Sequence, residues 1–252
     1  MPLAKGRAKD KEALLLPAEI KAYRSMCAQI QWVGRESRAE VAGSASLLNS
    51  ALPSPTVADA QTGIKVCKFL RATAAQSITI WPLAVHTLNF VTISDAGGPG
   101  TARRGGARGA WLVLVAEPSL KHNRRAKVSA LAWRSTRLKR AVASTVAAET
   151  LALSAAVAEA QWLQVLYRSL IFQDVVAPEW HLEAGPFSCV LSRDCELAQS
   201  MPTLSVVDAK SVFDTLSKNT SGSKVDRRNV IEIAVMYEIR MNPYEIRIGP
   251  VR

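Results

Sequence analysis

Between residues 18 and 72 apolar positions recur at spacings of three and four, and beyond that point they gather into short runs and alternations. The first regime is that of helices. Ile20, Tyr23, Met26, Cys27 and Ile30 predict one over Ala18 to Val33, just after Pro17. Val41, Ala45, Leu47 and Leu48 predict a second over Ser37 to Asn49. Pro53-Ser-Pro55 interrupts, and Ala60, Ile64, Cys67, Lys68 and Phe69-Leu70 mark a third over Thr56 to Ala72. The second regime is that of strands. Ser77 to Trp81 alternates, and Leu88 to Ile93 is a strand ending at Ser94-Asp95, where Gly97-Gly-Pro-Gly100 forces a turn. Ala110 to Val115 and Val128 to Trp133 extend it into an antiparallel meander.

A long helix is expected over Thr145 to Leu170, capped by Ser144 or Thr145, with Leu153, Val157, Ala160, Leu163 and Leu170 buried. Residues 173–203 read as irregular. Leu204 to Val207 is a short strand, and Asp208 closes it and opens a helix over Ala209 to Leu216. A helix over Asp226 to Arg240 and a strand over Tyr244 to Ile248 follow. The order βββαβααβ predicts an α/β fold, a mixed sheet that starts with three antiparallel strands. Residues 1–16 are expected to fray, 17–76 to form a small helical unit, and 77–252 to form the α/β domain.

Charge adds a partner class. The net charge is +11, and residues 101–140 carry eleven Arg or Lys against one acid, Glu117. Such a block points to a polyanion, most plausibly nucleic acid; a solvated basic loop is the plainer alternative. Cys27, Cys67, Cys189 and Cys195 show no CxxC, and His86, His122 and His181 are scattered, which argues against zinc. A Cys189–Cys195 bridge is open, with free buried thiols the default. No apolar run is long enough to span a bilayer, and Met1 to Glu12 has no signal-peptide pattern. The expectation is an intracellular chain without a membrane partner, cytoplasm and nucleus not being distinguished.

Three acids stand where regular elements begin or end: Asp95, Glu149 and Asp208. Such positions can converge at one sheet edge. Clustered carboxylates repel and are costly to bury ionised, and hard oxygen ligands suit Mg²⁺ or Mn²⁺. Each acid alone is more often a turn former or helix cap.

Several segments resemble copia-type retroelement Pol proteins, in one order along residues 20–248. Ser144-Thr-Val-Ala-Ala-Glu149-Thr-Leu-Ala-Leu-Ser154 is similar to that family's "STxEAEYxALS", and Trp133-Arg-Ser to the "SWxSK" before it. Phe90 to Ala96 resembles "YSDADWAG", Arg108 to Val115 resembles "TSGYVVFL", Gln161-Trp-Leu resembles "EALWL", and Val206 to Leu216 resembles "VTDCKSLYDxL". Upstream, Tyr23-Arg-Ser, Ser37 to Ala42, Pro55-Thr56 and Phe69 to Thr73 are similar to the region joining polymerase to ribonuclease H. The resemblance implies a ribonuclease H-like fold preceded by a helical connection unit. It implies Asp95, Glu149 and Asp208 as catalytic ligands of Mg²⁺ or Mn²⁺, and cleavage of the RNA strand of an RNA–DNA hybrid. Arg134, Arg137, Lys139 and Arg140 would hold phosphates, and the missing reverse transcriptase portion of Pol would be a further partner.

The chain departs from that pattern in three places. It ends at Arg252 before the family's C-terminal acidic element, so its domain is expected to lack the last helix. Gly97 to Gly100 replaces the usual residues after the first aspartate, and an insertion is expected within 173–203. No "YxDD" pair is present, which excludes polymerase chemistry by this chain alone. Three readings stay open: an active hybrid endonuclease, an inactive nucleic-acid-binding module, and a non-functional remnant.

Overall fold

Helices come first, as the apolar spacing requires. The computed structural model describes residues 3, 6–97, 106–122, 124–139, 142, 144–172, 203–208, 211–212, 214, 216 and 246–250. Helix α1 (Pro17–Glu36) starts with proline at its first position, and the Glu19 carboxylate accepts the Leu16 N–H. Helix α2 (Ala42–Ser50) begins later than expected, because Ala39–Val41 forms a 3₁₀ turn first. At α3 (Val57–Ala72), Thr56 and Asp59 cap each other reciprocally. Tyr23, Cys27, Ile30, Leu48, Val57 and Ala60 form a common core, with the Tyr23 hydroxyl donating to the Leu48 carbonyl at 2.9 Å. Cys67 and Phe69, expected on the inner face of α3, are exposed; Phe69 instead lies 5.9 Å from the Arg38 guanidinium.

Two expectations fail nearby. Residues 6–16 do not fray: Leu15 is buried in the helical core, its N–H donates to the Pro55 carbonyl, and Leu14 bridges Thr56. Ser77 to Trp81 alternates but is not a strand. Both faces of it are exposed, so alternation has nothing to pack against. The Trp81 N–H ties it to the sheet, donating to the Ser129 hydroxyl.

The sheet has five strands in the order β3-β2-β1-β4-β5. They are β1 (Asn89–Gly97), β2 (Arg108–Ala116), β3 (Val128–Arg137), β4 (Thr203–Val207) and β5 (Ile246–Pro250). The first three pair antiparallel; β4 runs parallel to β1, and β5 parallel to β4. Both β1 and β3 run further than their apolar cores suggest, so Asp95, Arg134 and Arg137 lie inside strands. Helix α4 (Thr145–Phe172) follows β3, with Ser144 Oγ accepting the Ala147 N–H. It packs across β1, β2 and β4, and Leu153, Val157 and Ala160 face inward. Leu170 does not; it is 68% exposed. A helix of 28 residues runs roughly 42 Å, whereas a nine-residue strand spans about 30 Å, so the last turns of α4 overshoot the sheet.

Buried hydroxyls pin the parallel strand: Thr92 Oγ1 donates to Ser205 Oγ at 2.8 Å, and Gln164 Nε2 to Thr203 Oγ1 at 2.6 Å. Ser211, Val212, Asp214 and Leu216 are helical, as expected of 209–216. The irregular segment 173–203 (before Thr203), the helix at 226–240, His181, Cys189, Cys195 and Arg140 lie outside the described residues. No helix among the described residues is long and apolar enough to cross a membrane.

Candidate metal centre

The last rung of the β1–β4 ladder pairs Ser94 with Val207, and the next residue on each strand is an aspartate, Asp95 and Asp208. Neighbouring strands run about 4.8 Å apart, so register alone sets these two acids side by side. Glu149 reaches them from the fifth position of α4. Small residues make that possible. Ala148 and Ala152 pack on Ala96 and Ala107, and Gly109, paired with Ala96 across the sheet, lies directly beneath. A Cβ at Gly109 would stand 3.2 Å from the Ala152 Cβ and 2.9 Å from Leu138 Cδ2. The helix therefore seats low, and one carboxylate oxygen each from Asp95, Glu149 and Asp208 lies within 4.8 Å of the other two.

The three carboxylates differ in environment. Asp95 and Asp208 are exposed, while Glu149 is only 5% exposed. The Glu149 carboxylate accepts the Ala96 backbone N–H, but its Oε2 is buried without a partner. Burial pushes the Glu149 carboxyl up to about 7, opposed by the Ala96 hydrogen bond and reinforced by the charges of Asp95 and Asp208. An orphaned carboxylate oxygen facing two more acids is costly unless a cation compensates. Acceptor-only hard oxygens fit Mg²⁺ or Mn²⁺, so these three residues could hold such an ion.

Three antiparallel strands, a helix, then strands added parallel to β1 place one acid on the central strand, one near the helix head and one after β4. The fold is ribonuclease H-like. No family model and no curated protein matches the chain. Among solved structures it is similar to the PFV RNase H domain, at 13% identity over 66% of this chain and 80% of that one, with a TM-score of 0.33. It is similar to the N-terminal RNase H domain of rv2228c from Mycobacterium tuberculosis, solved as a maltose-binding-protein fusion (13%, 65% and 84%, TM-score 0.34). It also resembles the foamy viral protease-reverse transcriptase in complex with RNA/DNA hybrid (12%, TM-score 0.34), covering 82% of this chain but 25% of that one. These overlays are loose, and the strand order of this chain itself carries the fold.

The basic positions lie toward β3. Asp95 pairs with Ala110, and Ala110 with Ser135, so the β3 residue level with the carboxylates is two strand spacings away, about 10 Å. Arg134 and Arg137 flank that residue on β3 and Lys139 follows; all three are exposed. Trp133 is half-buried, and its indole N–H donates to the Gly34 carbonyl of α1 at 2.7 Å.

Three features of the site escaped the residue pattern. The Ala96 N–H and the pairing of Arg108 with Arg137 across the β2–β3 ladder depend on register, which composition does not display. Gly109 did leave a signal: a glycine within a strand marks a close backbone approach.

Proposed function

We propose that the chain is a ribonuclease H-like domain derived from a copia-type retroelement Pol protein, which hydrolyses the RNA strand of RNA–DNA hybrids with Mg²⁺ or Mn²⁺. The observation that carries this reading is the carboxylate trio, with each member's oxygen within 4.8 Å of the others and one oxygen of Glu149 orphaned. A divalent ion held by Asp95, Glu149 and Asp208 would supply charge to the scissile phosphate and activate the attacking water.

The remaining work falls to the chain's own side chains. Glu149 is fixed by the Ala96 N–H and by the walls around it, and so serves as the rigid ligand. Asp95 and Asp208 open to solvent, the side from which substrate approaches. Arg134, Arg137, Lys139 and Arg140 hold neighbouring phosphates, and the duplex is read by its shape and 2′-hydroxyls. The helical unit at 17–76 takes the part of the connection to a reverse transcriptase portion, its partner in a Pol polyprotein.

Cleavage of a labelled RNA–DNA hybrid, with and without Mg²⁺ or Mn²⁺, tests the reading beside Asp95→Asn and Glu149→Gln. Metal-dependent cleavage lost in both variants is the expected result. Hybrid binding without cleavage in any metal would refute the nuclease and leave a binding module.

A further inference from the structure

Helices α1 and α3 run side by side in the same direction. Leu14 bridges Thr56 just before their first turns, and the Arg38 guanidinium donates to the Thr73 carbonyl at 3.2 Å just past their last. One side of this pair is filled by α2, through the core of Tyr23, Ile30, Leu48, Val57 and Ala60. The other side holds an open groove of about 470 Å³. Its α1 wall is Ala22, Ser25, Met26 and Gln29. Its α3 wall is Ile64, Cys67, Lys68 and Arg71. Each wall is a stripe at i, i+3, i+4 and i+7, the spacing of one helix face, and among the described residues no third element borders them. Seven steps along a helix rise about 10 Å, so the groove matches about two turns of a docked helix.

Met26 forms the floor. It is buried, and Gly63 lies beneath its thioether, where a Cβ would collide with the Met26 methyl carbon. A thioether at the base of an open groove adapts to varied side chains. Trp32, three residues beyond Gln29, carries the α1 stripe one turn further and is 67% exposed. A tryptophan in that position is the kind of anchor that dominates binding energy.

Charge selects the occupant. Every acid of the helical unit is already engaged: Glu19 with Arg7, Glu36 with Arg35, Glu40 with Arg38, and Asp59 in the α3 cap. Lys68 and Arg71 on the groove, and Lys21 and Lys65 one turn before Ser25 and Lys68, are exposed and form no ion pair among the described residues. A second copy of the chain would bring the same cations against them. A phosphate backbone would meet the cations at the lip and leave the recessed Met26 and Ile64 unfilled.

We propose that this groove docks an amphipathic helix of a protein partner, apolar at i, i+3, i+4 and i+7 and flanked by Asp or Glu. The docked helix completes a bundle with α1 and α3, and its acids meet Lys68 and Arg71. The inference needs no metal, hybrid or cleavage, so it stands apart from the nuclease reading.

The probe is a fluorescein-labelled peptide of about 18 residues, ~27 Å as a helix, with Leu on the stripe and Glu beside it. A shuffled peptide of the same composition and one with Lys in place of Glu are the controls. Anisotropy measures binding to the full chain, and mass spectrometry of the fragment holding Cys67, a free and exposed thiol, follows its alkylation by iodoacetamide. The striped acidic peptide is expected to bind and to slow Cys67 alkylation, and the shuffled one to do neither. Lys68→Glu with Arg71→Glu should weaken the acidic peptide at least ~10-fold and bind the lysine peptide better than wild type does. Cys67 protection in the wild-type chain decides the matter should that variant not fold. Equal binding of striped and shuffled peptides would overturn the proposal, since charge alone would then account for it. So would unchanged Cys67 alkylation under saturating striped peptide. An RNA–DNA hybrid that protects Cys67 where the peptide does not would overturn it too, assigning the groove to nucleic acid.

Discussion

Replacing Glu149 with glutamine removes a charge that the metal-free protein holds at a disadvantage. The folded carboxyl titrates near 7 against an ordinary 4.5, because it is buried, its Oε2 has no partner, and two acids face it. Between those values the unfolded chain has released its proton and the folded chain has not, so stability falls as pH rises from about 4.5 to about 7 and is level above. The difference of roughly 2.5 units corresponds to about 3 kcal/mol. Glu149→Gln keeps an acceptor for the Ala96 N–H but leaves a buried amide N–H group unpaired, a loss of about 1 kcal/mol. The variant should therefore be about 2 kcal/mol more stable than wild type at pH 8 without metal, and slightly less stable at pH 4. Urea unfolding at half-unit steps of pH measures both curves. Adding Mg²⁺ or Mn²⁺ at pH 8 should raise wild-type stability by mass action and leave the variant unmoved. Parallel curves for the two proteins from pH 4.5 to 7 would falsify the electrostatic account, and equal metal stabilisation of both would remove Glu149 from the ligand set.

Two further outcomes follow from packing. Gly109→Val drives side-chain carbons into Ala152 and Leu138; it should cost about 1–3 kcal/mol by overpacking and weaken divalent-ion stabilisation as α4 lifts, read by melting with and without Mn²⁺. Trp133→Phe deletes the indole bond to Gly34, worth about 1 kcal/mol, and should raise amide exchange in α1 and α2 more than in β1.

Much of the site was legible because strand ends and helix heads announce themselves locally. Asp208 follows a short apolar run, Glu149 follows a capping serine, and both stand where those signals put them. Asp95 was singled out for a partly wrong reason: the glycines after it read as a breaker, yet β1 continues through Gly97, held by the β2 ladder, which outlasts the β4 ladder by three residues. Tertiary partners decided the other differences. Ser77 to Trp81 has strand composition and no strand to pair with, and Leu15 sits in a segment that looks frayed until Pro55 and Thr56 supply its bonds. Leu170 keeps helical spacing beyond the sheet that would cover it.

The ties between the helical unit and the sheet join what the residue pattern divides. Trp133 reaches the end of α1 and Arg108 reaches two serines of α2, so both contacts cross the boundary drawn at residue 76 from the adjacent strands β3 and β2. A sheet edge would ordinarily be left to water or blunted by charge; here α2 packs against β3 and turns that edge into one wall of a cavity. The Arg108 bonds to α2 hold a cation beside Arg137 that the sheet alone would disfavour. A fragment lacking residues 17–76 would lose those hydroxyls and free Arg108 to move away from Arg137. The basic character of β3 would survive in such a fragment, so hybrid binding by the fragment should still weaken as salt rises.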